Sequence, residues 1–192
     1  MPDSAAAPTS QRILDLAERL VQTRGFNGFS YADIAASLGV TKASLHYHFP
    51  AKAELGRRLI GRYEENFVAA LAAIERKVKR PLEKLRRYAA IYAGVLAQDR
   101  MCLCGMLAAE YATLPKAMQK ELQHFFDENE RWLARVLEEG RRARELDFSG
   151  APREVARLLI SSLEGAMMLA RSHADATRFR AVAERLMGDL AA

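Results

Sequence analysis

The segment from residue 30 to residue 49 constrains the fold most, because it reads as a helix, a glycine turn and a second helix. Ser30 is typical of a helix N-cap, and Asp33 three residues later gives a weakened form of the capping box. Gly39 supplies the tight turn, and Thr41 caps the second short helix. This spacing predicts a helix-turn-helix, in which the first helix braces a second helix that lies in the DNA major groove.

The side chains of this segment also suit that interpretation. The N-terminus of the second helix carries short polar or basic groups, where the helix dipole and free N–H groups favour phosphate; these are Thr41, Lys42 and Ser44. Small residues are expected where the two helices touch, namely Ala35, Ala36 and Ala43. Residues 37–62 have a net charge of +4, close to the whole formal excess of +5, which is compatible with nucleic acid.

Residues 29–35 (FSYADIA) and 39–55 (GVTKASLHYHFPAKAEL) together resemble the DNA-binding signature of the TetR family of repressors. The resemblance is specific over about residues 10 to 60. It implies phosphate contacts from Ser30, Thr41, His48 and Lys52, and base-edge or groove contacts from Lys42, Ala43, Ser44 and Tyr47. His46 departs from the family pattern, which usually has tyrosine there; it is kept as a DNA-contact candidate whose charge depends on pH.

Apolar residues recur at helical spacing along nearly the whole chain, and no strand pattern is present. The prediction is an all-α fold of about nine helices: an N-terminal three-helix helix-turn-helix domain plus a C-terminal helical bundle. We expect a flexible tail over residues 1–8, the DNA-binding domain over 9–55, and a ligand-sensing and dimerisation domain over 56–192.

The resemblance further implies that the C-terminal half pairs with a second copy through its last two helices and encloses a ligand cavity. The predicted eighth helix has a face of small and apolar residues suited to that pairing: Leu158, Ser162, Gly165, Ala166 and Leu169. Candidate cavity residues are the aromatic and methionine side chains Tyr88, Tyr92, Met106, Tyr111, Phe125, Trp132, Met167 and Met168. Each of them fits a plain core role equally well.

Cys102 and Cys104 leave three interpretations open: buried packing thiols, sensors of oxidants or electrophiles, or ligands of a soft metal. Two cysteines are too few for a disulfide framework. A zinc site needs further ligands at suitable spacing, and no His or Cys lies nearby in the sequence. No metal site is therefore predicted.

Other classes of function have less support. Residues 63–192 contain no catalytic constellation and no phosphate-binding glycine loop, so neither an enzyme nor a cofactor is predicted. No apolar run of 18 residues occurs, and we expect a cytoplasmic protein with no membrane partner. The sequence favours a homodimeric repressor that leaves a palindromic operator when an unknown apolar or amphipathic small molecule binds. The alternative is a thiol-based repressor that uses Cys102 and Cys104.

Overall fold

The computed structural model describes residues 8–192; the first seven residues of the predicted tail lie outside the described residues. Within this range the chain forms nine α-helices and a short 3₁₀ helix, with no β-strand. The elements are α1 (Thr9–Arg24), α2 (Tyr31–Leu38), α3 (Lys42–His48), α4 (Lys52–Lys77), α5 (Pro81–Leu96), α6 (Leu103–Ala109), the 3₁₀ helix (Tyr111–Thr113), α7 (Lys116–Arg142), α8 (Pro152–Ser172) and α9 (Ala176–Leu190). The all-α prediction is confirmed.

The chain forms two compact units, and neither is a single continuous segment. Unit 1 comprises residues up to Tyr63 together with Leu103–Leu122, and unit 2 comprises Glu64–Cys102 and Gln123–Ala192. The helices α4 and α7 each contribute residues to both units. This division follows packing; the functional boundary expected between residues 55 and 56 stays a prediction.

Unit 1 has a core built from one face of each short helix. Ile13 of α1, Ile34 of α2 and Leu45 of α3 are completely buried, as the 3.6-residue apolar period predicts. A close approach inside this core requires Gly56 of α4, because a β-carbon there would lie 2.5 Å from the Met118 methyl carbon. The short helices α2 and α3 pack against each other and against α1.

Unit 2 is organised around α8 and α9, which pack against each other and both contact α5. Pro152 at the first turn of α8 removes an N–H group that a helix start leaves unsatisfied. The buried stripe of α8 recurs every three or four residues and consists of Ala156, Leu159, Ile160, Leu163, Ala166, Met167 and Ala170. Its opposite side carries apolar side chains that remain exposed.

Two local expectations were wrong. Of the three alanines expected between α2 and α3, only Ala35 is buried, whereas Ala36 and Ala43 are exposed. The reason is the helical period, which turns Ala36 one residue beyond the buried positions Ile34 and Ala35. The predicted sixth helix, from about Cys102 to Ala112, is shorter, because α6 ends at Ala109 and a separate 3₁₀ helix follows.

Candidate DNA-binding surface and effector site

The entrance to α2 is a complete capping box. The Asp33 amide donates to the Ser30 hydroxyl oxygen at 3.4 Å, and the Ser30 amide donates to the Asp33 carboxylate at 2.6 Å. The Ser30 hydroxyl also donates to that carboxylate and holds the pKa of Asp33 below its usual value. Aspartate therefore serves as well here as the glutamate of the usual box, and Ser30 stays exposed at the start of the helix.

Helix α3 begins at a threonine cap and presents its next side chains to solvent. Gly39 has a φ of 66°, the left-handed conformation that ends α2 at little steric cost for glycine. Thr41 then accepts a hydrogen bond from the Ser44 amide at 3.2 Å. Lys42 and Ala43 are exposed, and the Tyr47 side chain is 84% exposed. An aromatic ring left this open on a short helix is available to an external partner.

The other side of α3 is held in place by Tyr31 of α2. The Tyr31 hydroxyl donates to the Phe49 carbonyl at 2.8 Å, and burial, with the nearby Glu54 charge, raises the pKa of Tyr31 to about 12. The His46 ring lies 4.9 Å from the Tyr31 ring, and its Nδ1 lies 3.2 Å from the Pro50 carbonyl oxygen. His46 is thus packed at the end of α3 while still exposed.

Lys52 differs from the other predicted phosphate contacts because most of its bonding capacity is used inside unit 1. Its Nζ donates to the Phe26 and Phe29 carbonyls, both at 2.5 Å, and lies over both aromatic rings. Desolvation in this position lowers the pKa of Lys52. Two of its three N–H donors hold the turn between α1 and α2, so one remains for a phosphate group.

Glu110, which the sequence reasoning missed, holds the same turn from the other side. Its carboxylate accepts from the Phe26 amide at 2.6 Å and from the Asn27 amide at 3.2 Å. Asn27 in turn donates to the Thr113 hydroxyl at 2.8 Å. The residues that follow α6 therefore fix the turn that leads into α2, and the sequence carries no local signal for a contact across more than 80 positions.

The excess positive charge of residues 37–62 is partly neutralised. Arg57 pairs with Glu121 at 2.8 Å, and Arg62 donates to both Asp15 and Glu18 at 2.6 Å. Both arginines therefore form ion pairs that brace unit 1. The exposed cations of this segment are Lys42, Arg57 and Arg58, and Arg57 is the one held in an ion pair with Glu121.

Unit 2 contains a buried aromatic cluster, defined here as Phe67, Tyr88, Tyr92, Phe125 and Trp132. The Tyr88 ring stacks on Trp132 at 5.7 Å, and Phe67 lies edge-on to three rings at 5.3 to 6.2 Å. The two tyrosine hydroxyls lie 3.0 Å apart, and that of Tyr88 donates to Asn129 Oδ1 at 3.3 Å. Four of the eight predicted cavity residues are thus brought together.

The Glu164 carboxyl and the Cys102 thiol are a further pair of polar groups in unit 2. Burial raises the pKa of Glu164 to about 7, and a hydrogen bond with Cys102 opposes the shift. The Glu164 charge also contributes to raising the pKa of Tyr88 and of Tyr92, and α8, which carries Glu164, packs against α5, which carries both tyrosines. Asn129 and Glu164 were missed in the sequence, although each is a polar residue on an apolar helical stripe.

The remaining predicted cavity residues are divided between different environments. Met167 is completely buried in the core of unit 2, whereas Met106 and Tyr111 belong to unit 1. Met168 does not line a cavity with its neighbour, because it is 55% exposed on the outer side of α8. A helix turns by about 100° per residue, which places adjacent methionines on different faces.

The outer side of α8 matches most of the predicted dimer face. Leu158 and Leu169 are 58% and 61% exposed, and a β-carbon at Gly165 would meet no atom within 4 Å. Ser162 is partly exposed. Ala166 is an exception, because it is 6% exposed and packs inside the chain.

Cys102 and Cys104 are both buried, at most 1% exposed, and neither forms a disulfide bond. No group of three or more metal-binding side chains occurs among residues 8–192. In the same range, no helix is long and apolar enough to cross a membrane.

Two grooves open on unit 2. One, with a volume of about 590 Å³, lies between α5 and α9 and contains none of the predicted cavity residues. The other, of about 380 Å³, lies between α4 and α7 and is lined in part by Trp132 of the aromatic cluster.

The exposed, capped helix α3 and its brace α2 define the class of protein: a helix-turn-helix DNA-binding protein. The family model described as bacterial regulatory proteins of the tetR family matches residues 13–59, and that of the tetracyclin repressor-like C-terminal domain matches residues 81–186. The chain therefore belongs to the TetR family and is a DNA-binding transcriptional repressor. Regulators of this family bind operator DNA and act as dimers.

Individual proteins agree with this assignment. A TetR-family regulator from Agrobacterium tumefaciens is 34% identical, with 95% of this chain and 97% of that one covered and a TM-score of 0.92. A TetR regulator from Legionella pneumophila is 32% identical, with 97% and 99% covered and a TM-score of 0.88. The transcriptional repressor DhaR of Mycobacterium sp. (strain GP1) is 24% identical over 165 residues, 85% of this chain and 83% of that protein.

Proposed function

We propose that this chain represses transcription as a homodimer on a palindromic operator and is released when a small apolar or amphipathic molecule binds unit 2. The observation that carries the DNA-binding part is the capped N-terminus of α3, from which Lys42 and the widely exposed Tyr47 project. The DNA contacts proposed are Ser30, Thr41, Lys42, Ala43, Ser44, His46, Tyr47, His48 and Lys52.

The exposed apolar face of α8 supports the homodimer. Large apolar side chains this open to water are costly on a monomer, and burying them against a second copy is favourable by about 25 cal/mol per Å². A two-fold pairing of α8 and α9 gives a four-helix bundle. A homodimer has two α3 helices for two half-sites, which are expected about one turn of DNA apart, roughly 34–36 Å.

The aromatic cluster supports an effector site in unit 2. A ligand shifts the balance between bound and free repressor only if it binds the two conformations with different affinity. Because α4 contributes to both units, a ligand that moves its Phe67 region has a covalent route to Lys52 and the turn it holds. A small change in the spacing of two recognition helices removes the avidity of the dimer.

The DNA-binding proposal is tested by selecting an operator from random duplexes and comparing Tyr47→Ala with Asn66→Ala. Asn66 is an exposed, uncharged residue of α4 and serves as the matched control. Loss of base contacts should cost Tyr47→Ala about 1–3 kcal/mol of operator affinity and relax base preference, with Asn66→Ala unchanged. Equal operator selectivity in both variants would contradict the assignment of α3 as the recognition helix.

The thiol-based alternative stays a prediction. Burial shields both sulfur atoms from dissolved oxidants, whereas reactive cysteines are partly accessible. Peroxide treatment of the operator complex tests it: release of DNA by the native chain, abolished in Cys102→Ser with Cys104→Ser, would favour thiol sensing over a small-molecule effector.

A further inference from the structure

Glu164 combines a buried carboxyl with an unused acceptor. The residue as a whole is partly exposed, but its Oε1 atom is buried and has no hydrogen-bond partner among the described residues. The Cys102 thiol bonds to the carboxyl, and no Lys or Arg is among the groups that shift its pKa. Leaving a charged oxygen buried without a partner is costly, and a ligand that donates to this oxygen would remove that cost.

The surroundings of this carboxyl are aromatic. Its helix α8 packs against α5, which carries Tyr88 and Tyr92, and the rings of both tyrosines belong to the aromatic cluster with Phe67 and the stacked Trp132. Aromatic faces attract organic cations and repel anions, because the ring quadrupole is negative above the plane. A negative carboxylate next to such rings favours a positively charged ligand over a neutral or negative one.

A second group with unused bonding capacity belongs to Trp132 of the same cluster. The Trp132 indole Nε1 is also buried without a hydrogen-bond partner among residues 8–192. It is a donor only, so it fits an ether, hydroxyl or carbonyl oxygen of a ligand. The cluster therefore offers one charged acceptor and one neutral donor within an apolar wall.

The groove between α4 and α7 borders this cluster at Trp132. Its volume is about 380 Å³, Trp132 lies in its wall, and Glu75 and Glu128 are at its rim together with Arg76 and Arg135. Because Trp132 stacks on Tyr88, the same indole borders both the groove and the aromatic cluster.

We propose that the effector of unit 2 is an amphipathic organic cation, a protonated amine on an apolar body, whose ammonium group pairs with Glu164 and packs against Tyr88 and Tyr92. This proposal rests on the proposed release of the repressor by a small ligand. The apolar body lies between Phe67 and Trp132, and the groove between α4 and α7 is its entrance.

The chain supplies its own probe, because Trp132 is the sole tryptophan of the sequence. Phenylbutylamine, phenylbutanol and phenylbutyrate, together with alkylamines of increasing length, are titrated against the full-length dimer while Trp132 fluorescence is followed. The amines should bind at least about tenfold more tightly than the matched alcohol or carboxylate, a difference of about 1.4 kcal/mol.

Glu164→Gln is the decisive variant, and Glu184→Gln is the matched control. Glu184 is an exposed carboxylate of α9 at the groove between α5 and α9. Glu164→Gln should lose the preference for amine over alcohol while binding of the alcohol changes by less than about twofold, and Glu184→Gln should behave as the native chain. Thermal unfolding of each variant verifies that it is folded.

The outcomes separate this proposal from the proposed function. Amines that bind through Glu164 without releasing operator DNA support the site but overturn ligand-driven release. Alcohols or carboxylates that release DNA where amines do not would leave release intact and overturn the organic-cation class. An amine preference that survives Glu164→Gln, or no Trp132 response to any amine at millimolar concentration, also overturns it.

Discussion

Units 1 and 2 both carry polar side chains at the positions proposed to bind a partner, but the two sets lie in opposite environments. On α3 the polar groups are exposed and hydrated, with backbone caps such as Thr41 already satisfied within the helix. In unit 2 the Glu164 carboxyl and the Trp132 indole are buried with bonding capacity unused. Water satisfies the first set when DNA is absent, whereas nothing in the described chain fully satisfies the second.

This difference determines how much each unoccupied site costs in the free energy of unfolding. An exposed recognition surface costs little when unoccupied, so its variants should change DNA affinity and leave stability alone. A buried, incompletely bonded carboxyl destabilises the unliganded fold, so its variants should change stability and ligand binding together. Substitutions on the exposed face of α3 should therefore leave stability unchanged, and substitutions of Glu164 should leave the DNA affinity of the unliganded chain unchanged.

The largest expected effect comes from the α8 face, on which operator binding by both copies depends. Leu169→Glu places a charge in the proposed interface and should give monomers, with operator affinity lowered by about 100-fold or more because avidity is lost. Light scattering and gel-shift titration measure the two quantities. Val68→Glu, at another exposed apolar position, is the control. A dimer retained by Leu169→Glu at micromolar concentration would contradict the proposed interface.

The buried carboxyl predicts a pH dependence of stability. Its pKa is about 7 in the folded chain against 4.5 in the unfolded one, so folding retains a proton that unfolding releases. Stability should therefore fall as the pH rises through this window, by about 3 kcal/mol when ionisation is complete. Urea unfolding at about pH 5.5 and pH 8.5 covers the upper part of this window and should show a loss of about 2 kcal/mol in the native chain and none in Glu164→Gln. If the stability of both proteins changed equally with pH, the buried Glu164 carboxyl would not be the cause, and the proposed difference between the two units would be wrong.

Glu110→Ala tests whether the recognition surface depends on support from the residues after α6. Loss of the acceptor for the Phe26 and Asn27 amides should destabilise the chain by about 1–3 kcal/mol. Operator and random DNA should both be bound more weakly, because the turn and not a base contact is affected. Glu110→Gln keeps one acceptor and should fall between, and the exposed Glu65→Ala is the charge control. Native stability in Glu110→Ala would show that the turn holds without it.

The smallest effect concerns Lys52, which both fixes the turn and is proposed to meet phosphate. Lys52→Met keeps an apolar stem against the phenylalanine rings but removes the charge. A phosphate contact predicts that the salt dependence of DNA binding falls by about one unit of slope, with sequence preference unchanged. An unchanged slope in gel shifts across salt concentrations would assign Lys52 to the turn alone. Arg58→Met, at an exposed cation of α4, provides the comparison.

The recognition segment could be predicted because its determinants are local. The caps at Ser30 and Thr41, the left-handed Gly39 and the apolar period all act within a few residues, and the structure confirms the helices they predict. Glu110 could not be predicted in this way, since its partners at Phe26 and Asn27 are brought near only by tertiary packing.

The candidate effector residues were only partly predictable for a related reason. Aromatic periodicity identified Tyr88, Tyr92, Phe125 and Trp132, but it cannot separate lining from core. Glu164 carries a signal that could have been used: it follows Ile160 by four residues and precedes Met167 by three, both buried. A carboxyl on the buried stripe of a helix is rare unless it has a partner, so this position could have been singled out from the sequence.

The interleaved course of the chain bears on how regulators of this kind can be recombined. Unit 1 is completed by Leu103–Leu122, a segment that follows much of unit 2 in the sequence. A hybrid made by joining two regulators at one point after α3 would combine a Phe26–Asn27 turn from one parent with a Glu110 equivalent from the other. A hybrid that exchanges DNA specificity and keeps this packing therefore needs two crossovers, so that both sequence segments of unit 1 come from the same parent.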